Sequence, residues 1–432
     1  MAPEPVLPAA PPTFREALRF WWKLGFISFG GPGGQIALMH EEVVRRRQWI
    51  GEERFLHALS FCHLLPGPEA QQLSIYLGWL LHGTRGGLVA GTLFVLPSAV
   101  LLWILSWVYA THGQLPWIRS AFLGLQAAVL AILLSAVLRM GKTVLTSPIS
   151  GFLVLAGALL MPLRIPFPIL LLGAAVVGVV ASRVFPRWFP PASVRASEDL
   201  ESPPRDRSAG RTLGLLLLGL VLWWGPVALL GLWLGRSHVL VEQGLFFGKA
   251  AMLTFGGAYA ILPYVSQQAV GHFHWLTAPQ MLDGLGLAET TPGPLIMVLQ
   301  FVGFLGAWRD PGPWTPLLAG TLGAAITTWT TFVPSFLWIL LGAPYVERIR
   351  RQATLATALR ALSATVFGTL LYFFATLGRD VLFPQDRPVQ VVGILLSVLA
   401  WLALRFGNWS LPKLVLSAAA AGILSGLLRG AG

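Results

Sequence analysis

Two lysines occupy equivalent places in this sequence, and both lie within apolar stretches. Lys23 and Lys249 each stand seven residues before a Gly-Gly pair, and the whole chain of 432 residues contains only four lysines. A charged side chain in an apolar segment costs about 3 kcal/mol or more to insert into a membrane, so such residues pair, reach the membrane surface or carry function. Two interpretations follow. Either the two ammonium groups reach the interface, or together they balance the charge of a bound dianion.

Glycine and proline motifs interrupt the chain soon after each lysine. Pro66-Gly67-Pro68 recurs as Pro292-Gly293-Pro294, and Gly30-Gly31 recurs as Gly256-Gly257. Proline removes an N–H donor and glycine loosens the backbone, so each motif breaks a helix. The free N–H groups and the positive dipole end at the start of the next helix favour an oxyanion. These breaks are therefore candidate anion-binding elements.

Polar side chains beside the breaks could complete an anion site. The candidate hydrogen-bond donors are Ser28, Gln35, Gln71, Gln72, Thr254, Thr290 and Thr291. The candidate groups for proton coupling are Glu69, Asp283, Glu289 and His63, of which His63 occupies the position of Glu289 in the other copy. Two simpler interpretations stay open: Glu69 caps its own helix, and the polar donors only pack against neighbouring helices.

Most of these residues belong to an internal repeat. A shift of 226 positions aligns Lys23 to Pro68 with Lys249 to Pro294 without a gap. Leu96-Pro97-Ser98 and Val333-Pro334-Ser335 extend the match beyond this block. Repeated segments with broken helices are typical of secondary transporters.

The composition is that of a membrane protein. Hydrophobic residues make up 55% of the chain and charged residues 11%, whereas soluble domains carry about 25% charged residues. Mean hydropathy is +0.70, and we predict at least nine windows that reach the roughly 20 apolar residues of a membrane span. The 30 Lys and Arg against 18 Asp and Glu are assigned to cytoplasmic loops rather than to nucleic-acid binding. The predicted fold class is an all-α polytopic membrane protein.

The chain is predicted to contain two repeats joined by one helix. The regions are a disordered tail (1–13), an N-terminal repeat (14–185), a cytoplasmic linker (186–211), a linking transmembrane helix (212–236) and a C-terminal repeat (237–432). Each repeat is predicted to begin with broken, re-entrant helices and to continue with four crossings. These lie near 87–109, 116–138, 147–161, 165–182, and near 314–341, 354–377, 388–404, 411–428.

Loop charges indicate that the two repeats have inverted topology. Arg45-Arg46-Arg47 follows the first break, whereas the equivalent segment 267–274 has no Lys or Arg. Conversely, Arg348, Arg350 and Arg351 occupy a loop whose first-half equivalent is nearly neutral. By the positive-inside rule, equivalent loops lie on opposite sides of the membrane, and the N-terminus is cytoplasmic. The last helices depart from this pattern, since they carry Arg379, Arg387 and Arg429.

Motifs for other functions are missing from the sequence. It contains no Walker A sequence, no HExxH motif and no His/Cys cluster with metal spacing, and its single cysteine is Cys62. No cofactor and no enzymatic activity are expected. A membrane-embedded enzyme acting on a phosphorylated or lipid substrate stays an alternative, for which His57, Cys62 and His63 are the nearest approach to a nucleophile and base. A purely structural scaffold would not need the paired lysines.

With these residues in view, the sequence resembles the chromate ion transporter family in its long two-domain form. The resemblance is carried by SFGGPGGQIALMHEE (28–42), FLHALSFCHLLPGPEAQQ (55–72), GWLLHGTRGGLVAGTLFVLPS (78–98), TFGGAYAILP (254–263) and LAETTPGPLIMVLQFVGF (287–304). The family's motif residues carry over as Phe29, Gly30, Gly31, Pro32, Gln35, Pro66, Gly67, Pro68, Glu69, Gln71 and Gln72. The second half departs from the pattern at Ala258, Ile261 and Leu295, so an asymmetric site is expected.

The resemblance implies export of chromate across the bacterial cytoplasmic membrane, driven by an ion gradient. Our hypothesis is secondary active efflux coupled to protons, with one central oxyanion site between the repeats. The expected partners are chromate with sulfate as its competitor, protons, the lipid bilayer and a second copy of the chain in a homodimer. The alternative within transport is a sulfate or general oxyanion carrier, since the residues do not encode direction.

Overall fold

The computed structural model describes residues 12–163, 165–190, 209–343, 352–383, 390–407 and 409–430. Helices make up 83% of the structure, and the described residues contain no strand. The predicted all-α class is therefore confirmed. Most of the predicted tail and linker lies outside the described residues, as do Arg348, Arg350, Arg351, Arg387 and the side chain of Arg429.

The first half consists of seven helices. They are α1 (Phe14–Ile27), α2 (Gly31–His40), α3 (Glu52–Cys62), α4 (Glu69–His112), α5 (Pro116–Val144), α6 (Pro148–Leu160) and α7 (Phe167–Val184). A π-helical turn, Glu41–Arg46, extends α2. A separate helix, α8 (Ala209–Leu234), connects this half to the second.

The second half repeats the same order of short and long helices. They are α9 (Val239–Leu253), α10 (Ala258–Gly271), α11 (Ala278–Thr290), α12 (Val298–Arg309), α13 (Pro316–Gly342), α14 (Ala353–Leu382), α15 (Val391–Phe406) and α16 (Leu411–Gly430). After Pro294, a short 3-10 turn (Leu295–Met297) precedes α12, whereas α4 starts directly after Pro68. The second break thus differs from the first in its local geometry.

The helices next to the Gly/Pro motifs are short because their ends are encoded locally. Thr13 and Glu16 form a capping box that starts α1, and the chain leaves the helix before Gly30, whose φ is +94°. The 14 residues of α1 are about 21 Å long at 1.5 Å per residue. Because the hydrocarbon core of a bilayer is about 30 Å thick, α1 alone is too short to cross it.

The long helix α4 folds back on itself at His82 and Gly83. These two residues have non-helical backbone angles, with φ +62° at Gly83. The segments on either side then pack closely, since a methyl group at Gly78 would lie 2.5 Å from the carbonyl oxygen of Gly86. As a result, the chain runs from Pro68 to the turn at His82 and Gly83, and then reverses direction for the rest of α4.

Seven helices in the described residues are long and apolar enough to span a membrane: α4, α5, α7, α8, α13, α14 and α16. The predicted windows at 147–161 and 388–404 form only α6 and α15, of 13 and 16 residues. Two of the nine predicted windows therefore form apolar helices that are shorter than the roughly 20 residues of a full span. The chain is a multi-pass membrane protein whose crossings have unequal lengths.

The two halves exchange helices. In the first half, α5 packs against α15 and α16, and in the second half α14 packs against α6 and α7. Small residues allow this approach, because a side chain at Gly124 would overlap the carbonyl oxygen of Ala418, and one at Gly368 would overlap that of Val154. Close packing at small residues is a common basis of helix association in membranes. Neither half is complete without helices of the other.

Gly124→Ala is expected to destabilise the protein because its methyl group would overlap a backbone carbonyl on α16 that has no room to move. Overpacking of this kind typically costs about 1–3 kcal/mol. The matched control is Gly173→Ala on α7, where nothing lies within 4 Å of the added carbon. Unfolding temperatures in detergent should fall for Gly124→Ala and stay unchanged or rise for Gly173→Ala. Equal temperatures would argue against the exchanged packing.

Candidate functional site

The two Pro-Gly-Pro breaks are hydrogen-bonded to the opposite halves. Gly67 N–H donates to the carbonyl oxygen of Thr254, and Gly293 N–H donates to that of Ser28, both at 2.8 Å. The repeat relates Gly67 to Gly293 and Ser28 to Thr254, so the two bonds are equivalent. We call this meeting point of Ser28, Gly67, Thr254 and Gly293 the central junction.

Two serine hydroxyls face the glycines of the central junction. A carbon added to Gly67 would lie 2.9 Å from Ser335 Oγ, and one added to Gly293 would lie 2.6 Å from Ser98 Cβ. Both serines are buried, and neither hydroxyl has a hydrogen-bond partner among the described residues. Because buried polar groups are nearly always paired, these hydroxyls indicate a place for a polar ligand or water.

Three predicted glutamines surround the junction. Gln35 Nε2 donates to the carbonyl oxygens of Ser28 and Gly293, which ties α2 to the second Pro-Gly-Pro motif. Gln72 Nε2 donates to Pro66 O at 2.8 Å. Gln71 is fully buried, and within the described chain neither of its amide atoms has a partner. Gln71 also lines an apolar cavity of about 460 Å3 between α4 and α13. Of the three, Gln71 is the one whose amide nitrogen donates no hydrogen bond within the described residues.

The predicted hydroxyl donors next to the breaks are already engaged. Ser28 and Thr254 each donate a hydrogen bond to a carbonyl four residues back, at 2.6 and 2.8 Å. Thr290 and Thr291 donate to carbonyls of their own helix in the same way. The N–H groups of Gly67 and Gly293 are also used. Ser98, Ser335 and Gln71 are therefore better placed to contact an anion than the threonines.

The Gly-Gly motifs adopt the backbone geometry that their sequence predicts. Positive φ angles occur at Gly30, Gly31, Gly256 and Gly257, between +67° and +94°. Pro32 lies at the start of α2, and the preceding Phe29 is partly exposed. The first motif lines a cavity that is described below. At the Pro-Gly-Pro breaks, Pro68 and Pro294 have extended backbone angles.

The acidic candidates form three separate contacts. Glu289 is 5% exposed and accepts a hydrogen bond from the Tyr259 hydroxyl at 2.6 Å. Asp283 is 4% exposed and accepts bonds from Tyr109 and Gln126, both at 2.8 Å. In the first half, Glu69 instead pairs with His63, with Nδ1 and Oε2 3.2 Å apart. Because the His63 imidazole donates this hydrogen bond to the Glu69 carboxylate, the pKa of His63 is raised.

Lys23 and Lys249 are exposed on α1 and α9. Within the described residues, no ion pair or hydrogen bond joins either ammonium group to the buried side chains of the central junction. Charge balance by these two lysines stays a prediction, and so does their placement at the membrane interface.

A second polar feature was missed by the sequence analysis. A cavity of about 570 Å3 is lined by the first Gly-Gly motif, by α5, by Tyr259 of α10 and by the end of α15. Three cationic side chains line it: Arg139, Lys142 and Arg405. We call it the basic cavity. Its cations come from segments more than 250 residues apart in the sequence. The i,i+3 spacing of Arg139 and Lys142 on α5 is the one sequence signal for this cavity.

Known proteins resemble the chain over nearly its whole length. The model of the chromate transporter family matches residues 15–179 and 241–423. A probable chromate transport protein of Synechococcus elongatus is 30% identical over 95% of this chain and 95% of its own. The chromate transport protein of Cupriavidus metallidurans is 28% identical, with coverage of 96% and 93%. That of Pseudomonas aeruginosa is 32% identical, with coverage of 84% and 81%.

No solved structure is significantly similar to the chain. The two regions matched by the family model correspond to the two copies of the repeat. They contain both Pro-Gly-Pro motifs, the two junction serines and the cations of the basic cavity. A match of this extent means that the chain belongs to the chromate transporter family.

Proposed function

We propose that this protein moves chromate out of the cell by secondary active transport, with one oxyanion site at the central junction. The family and its relatives support chromate as the substrate. The observation that carries the site is the pair of crossed backbone hydrogen bonds between Gly67 and Thr254 and between Gly293 and Ser28. A site shared by both halves can open to either side when one half moves against the other.

Inverted topology of the two halves is part of the proposal, and contacts at the helix ends support it. His82 Nε2 lies 2.9 Å from Pro12 O, so α1 starts on the side where α4 folds back. On the second half, His238 before α9 packs against Trp314 before α13. Trp103, late in α4, donates to Thr321, early in α13, at 2.9 Å. Accordingly, α9 starts on the side of the membrane where α4 ends. Its counterpart α1 starts on the opposite side, as inverted repeats require.

In the proposed site, the anion contacts Ser98, Ser335 and Gln71. Hydroxyl and amide donors suit the oxygens of a tetrahedral dianion, and burial strengthens each hydrogen bond. The N–H groups at the start of α4 add the positive end of a helix dipole. Sulfate has the same shape and charge and is the expected competitor.

Export from the cytoplasm is favoured by the distribution of positive charge. After α4 has crossed the membrane, α5 crosses it in the opposite direction. The C-terminal end of α5, which carries Arg139 and Lys142, therefore lies on the same side of the membrane as Pro12. The positive-inside rule makes this side cytoplasmic. Cations there raise the local concentration of cytoplasmic anions.

Proton coupling is assigned to Glu289. It is buried one residue before the Thr-Thr-Pro-Gly-Pro sequence, so its charge lies close to the proposed site. Protonation would remove a negative charge next to an incoming dianion. Glu69 with His63 is the first-half counterpart, and its ion pair makes it the less suitable of the two for carrying a transported proton.

The proposal is tested with purified protein in inside-out vesicles, by measuring uptake of labelled chromate and sulfate with and without an imposed pH gradient. Gradient-dependent accumulation of chromate is the expected result. Equal or greater accumulation of sulfate would make the protein a general oxyanion carrier. Absence of flux for both anions would contradict transport and direct attention to the enzyme alternative.

A further inference from the structure

The side chains that line the basic cavity include cations but no acid. Arg139, Lys142 and Arg405 all line it, and no Asp or Glu is among its lining residues. Within the described chain, none of the three cations forms a salt bridge. Like charges that share one cavity repel each other, and a bound dianion would relieve that repulsion.

The groups in the cavity match the chemistry of a tetrahedral oxyanion. Arginine presents a rigid fork of donors to such an anion, and lysine adds a compact charge. The ten-residue helix α2 begins at the cavity wall, at Gly31. Liquid water occupies about 30 Å3 per molecule. At about 570 Å3, the cavity can therefore hold an oxyanion together with several waters.

One lining residue of the cavity is hydrogen-bonded to the acid that we assign to proton coupling. Tyr259 lines the cavity, and its hydroxyl donates to Glu289 at 2.6 Å. Arg139 of α5 lines the same cavity as Tyr259, so its guanidinium shares this space with the Tyr259 side chain that donates to Glu289. In the described part of the chain, Tyr259 of α10 and Arg139 of α5 are the titratable or charged groups that act on Glu289 from neighbouring helices.

We propose that the basic cavity is the cytoplasmic entry site for the oxyanion, and that Arg139 links its occupancy to protonation of Glu289. Burial disfavours the ionised carboxylate of Glu289, and with the cavity empty the positive charge of Arg139 opposes this effect. A dianion that pairs with Arg139 offsets this charge, so Glu289 binds a proton from solution. By thermodynamic reciprocity, protonation of Glu289 tightens anion binding to the same degree. The inference rests on the proposed function.

The test uses full-length protein in detergent and needs no transport. Sodium chromate is titrated into weakly buffered protein near neutral pH, and both anion binding and proton uptake are recorded. Wild-type protein should take up protons as chromate binds. Arg139→Gln should lower the affinity about tenfold or more and abolish the uptake, whereas Arg139→Lys should restore part of both.

Three further variants separate the steps. Glu289→Gln should bind chromate without proton uptake. Lys142→Gln should weaken binding but keep the uptake at saturation, since this variant retains both Arg139 and Glu289. Arg119→Gln, at the other end of α5, is the control and should match the wild type.

Wild-type binding and proton uptake in Arg139→Gln would overturn the inference. The readout is also independent of the proposed function. If chromate binding and Arg139-dependent proton uptake occur but vesicles show no flux, the entry site stands and transport fails. If vesicles show flux but Arg139→Gln is unaffected in both assays, transport stands and the entry site fails.

Discussion

Gly293→Ala will reduce chromate transport by about a hundredfold or more. Gly293 has a φ of +104°, and an added carbon would lie 2.6 Å from Ser98 Cβ. A non-glycine residue in such a conformation costs about 1–3 kcal/mol, and the steric overlap adds to it. Because 2.7 kcal/mol corresponds to roughly a hundredfold in population, the crossed bond to Ser28 would be lost in most molecules. The measurement is the initial rate of chromate uptake into inside-out vesicles, normalised to inserted protein.

The control for this substitution is Gly51→Ala. Gly51 precedes α3 with a φ of −67°, and nothing lies within 4 Å of an added carbon. Its transport rate should stay within about twofold of the wild type. The double variant Ser98→Gly with Gly293→Ala makes room for the added methyl group and should recover part of the rate. Wild-type transport by Gly293→Ala would show that transport does not require the hydrogen bond between Gly293 and Ser28.

Glu289→Gln is expected to remove the response to a pH gradient. The glutamine keeps the size of the side chain and can still accept the bond from Tyr259, but it cannot take up a proton. Vesicles should then exchange chromate down its own concentration gradient, while accumulation driven by the imposed pH gradient falls to the level without a gradient. In wild-type vesicles the same gradient should drive net accumulation.

Two comparisons make this result specific. Glu53→Gln changes an exposed carboxylate at the start of α3 and should leave gradient-driven accumulation unchanged. Asp283→Asn changes the other buried acid of α11 and tells whether it takes part in the coupling. Accumulation at the wild-type level in Glu289→Gln would exclude this residue as the coupling group and return attention to Glu69 and His63.

The repeat and its breaks could be predicted from the sequence because glycine and proline act locally. A Pro-Gly-Pro motif breaks a helix in almost any surroundings, so the ends of α3, α4 and α11 agree closely with the expected breaks. Long apolar runs likewise predicted α5, α8, α13 and α14. The short length of α6 has a local cause as well, since hydropathy averages over residues that Pro162 excludes from the helix.

The composition of the site could not be predicted in the same way. Whether Ser28 donates to an anion or to Leu24 of its own helix depends on a side-chain rotamer, which residue type does not specify. Ser98 and Ser335 reach the junction only because each faces the glycine of the other half. Arg139 and Arg405 share a cavity because the halves exchange helices. Such relations depend on tertiary packing between distant segments.

The most direct test of the central claim is chromate flux through the double variant Ser98→Ala with Ser335→Ala. Both hydroxyls are buried and lack partners in the described residues, so removing them should not cost internal hydrogen bonds, and insertion and unfolding temperature should match the wild type. If the oxyanion passes through the central junction between these serines, gradient-driven chromate uptake into inside-out vesicles will fall at least about tenfold, because two hydrogen bonds to a charged ligand are lost. Uptake at the wild-type rate by this normally folded variant would contradict a substrate site at the junction.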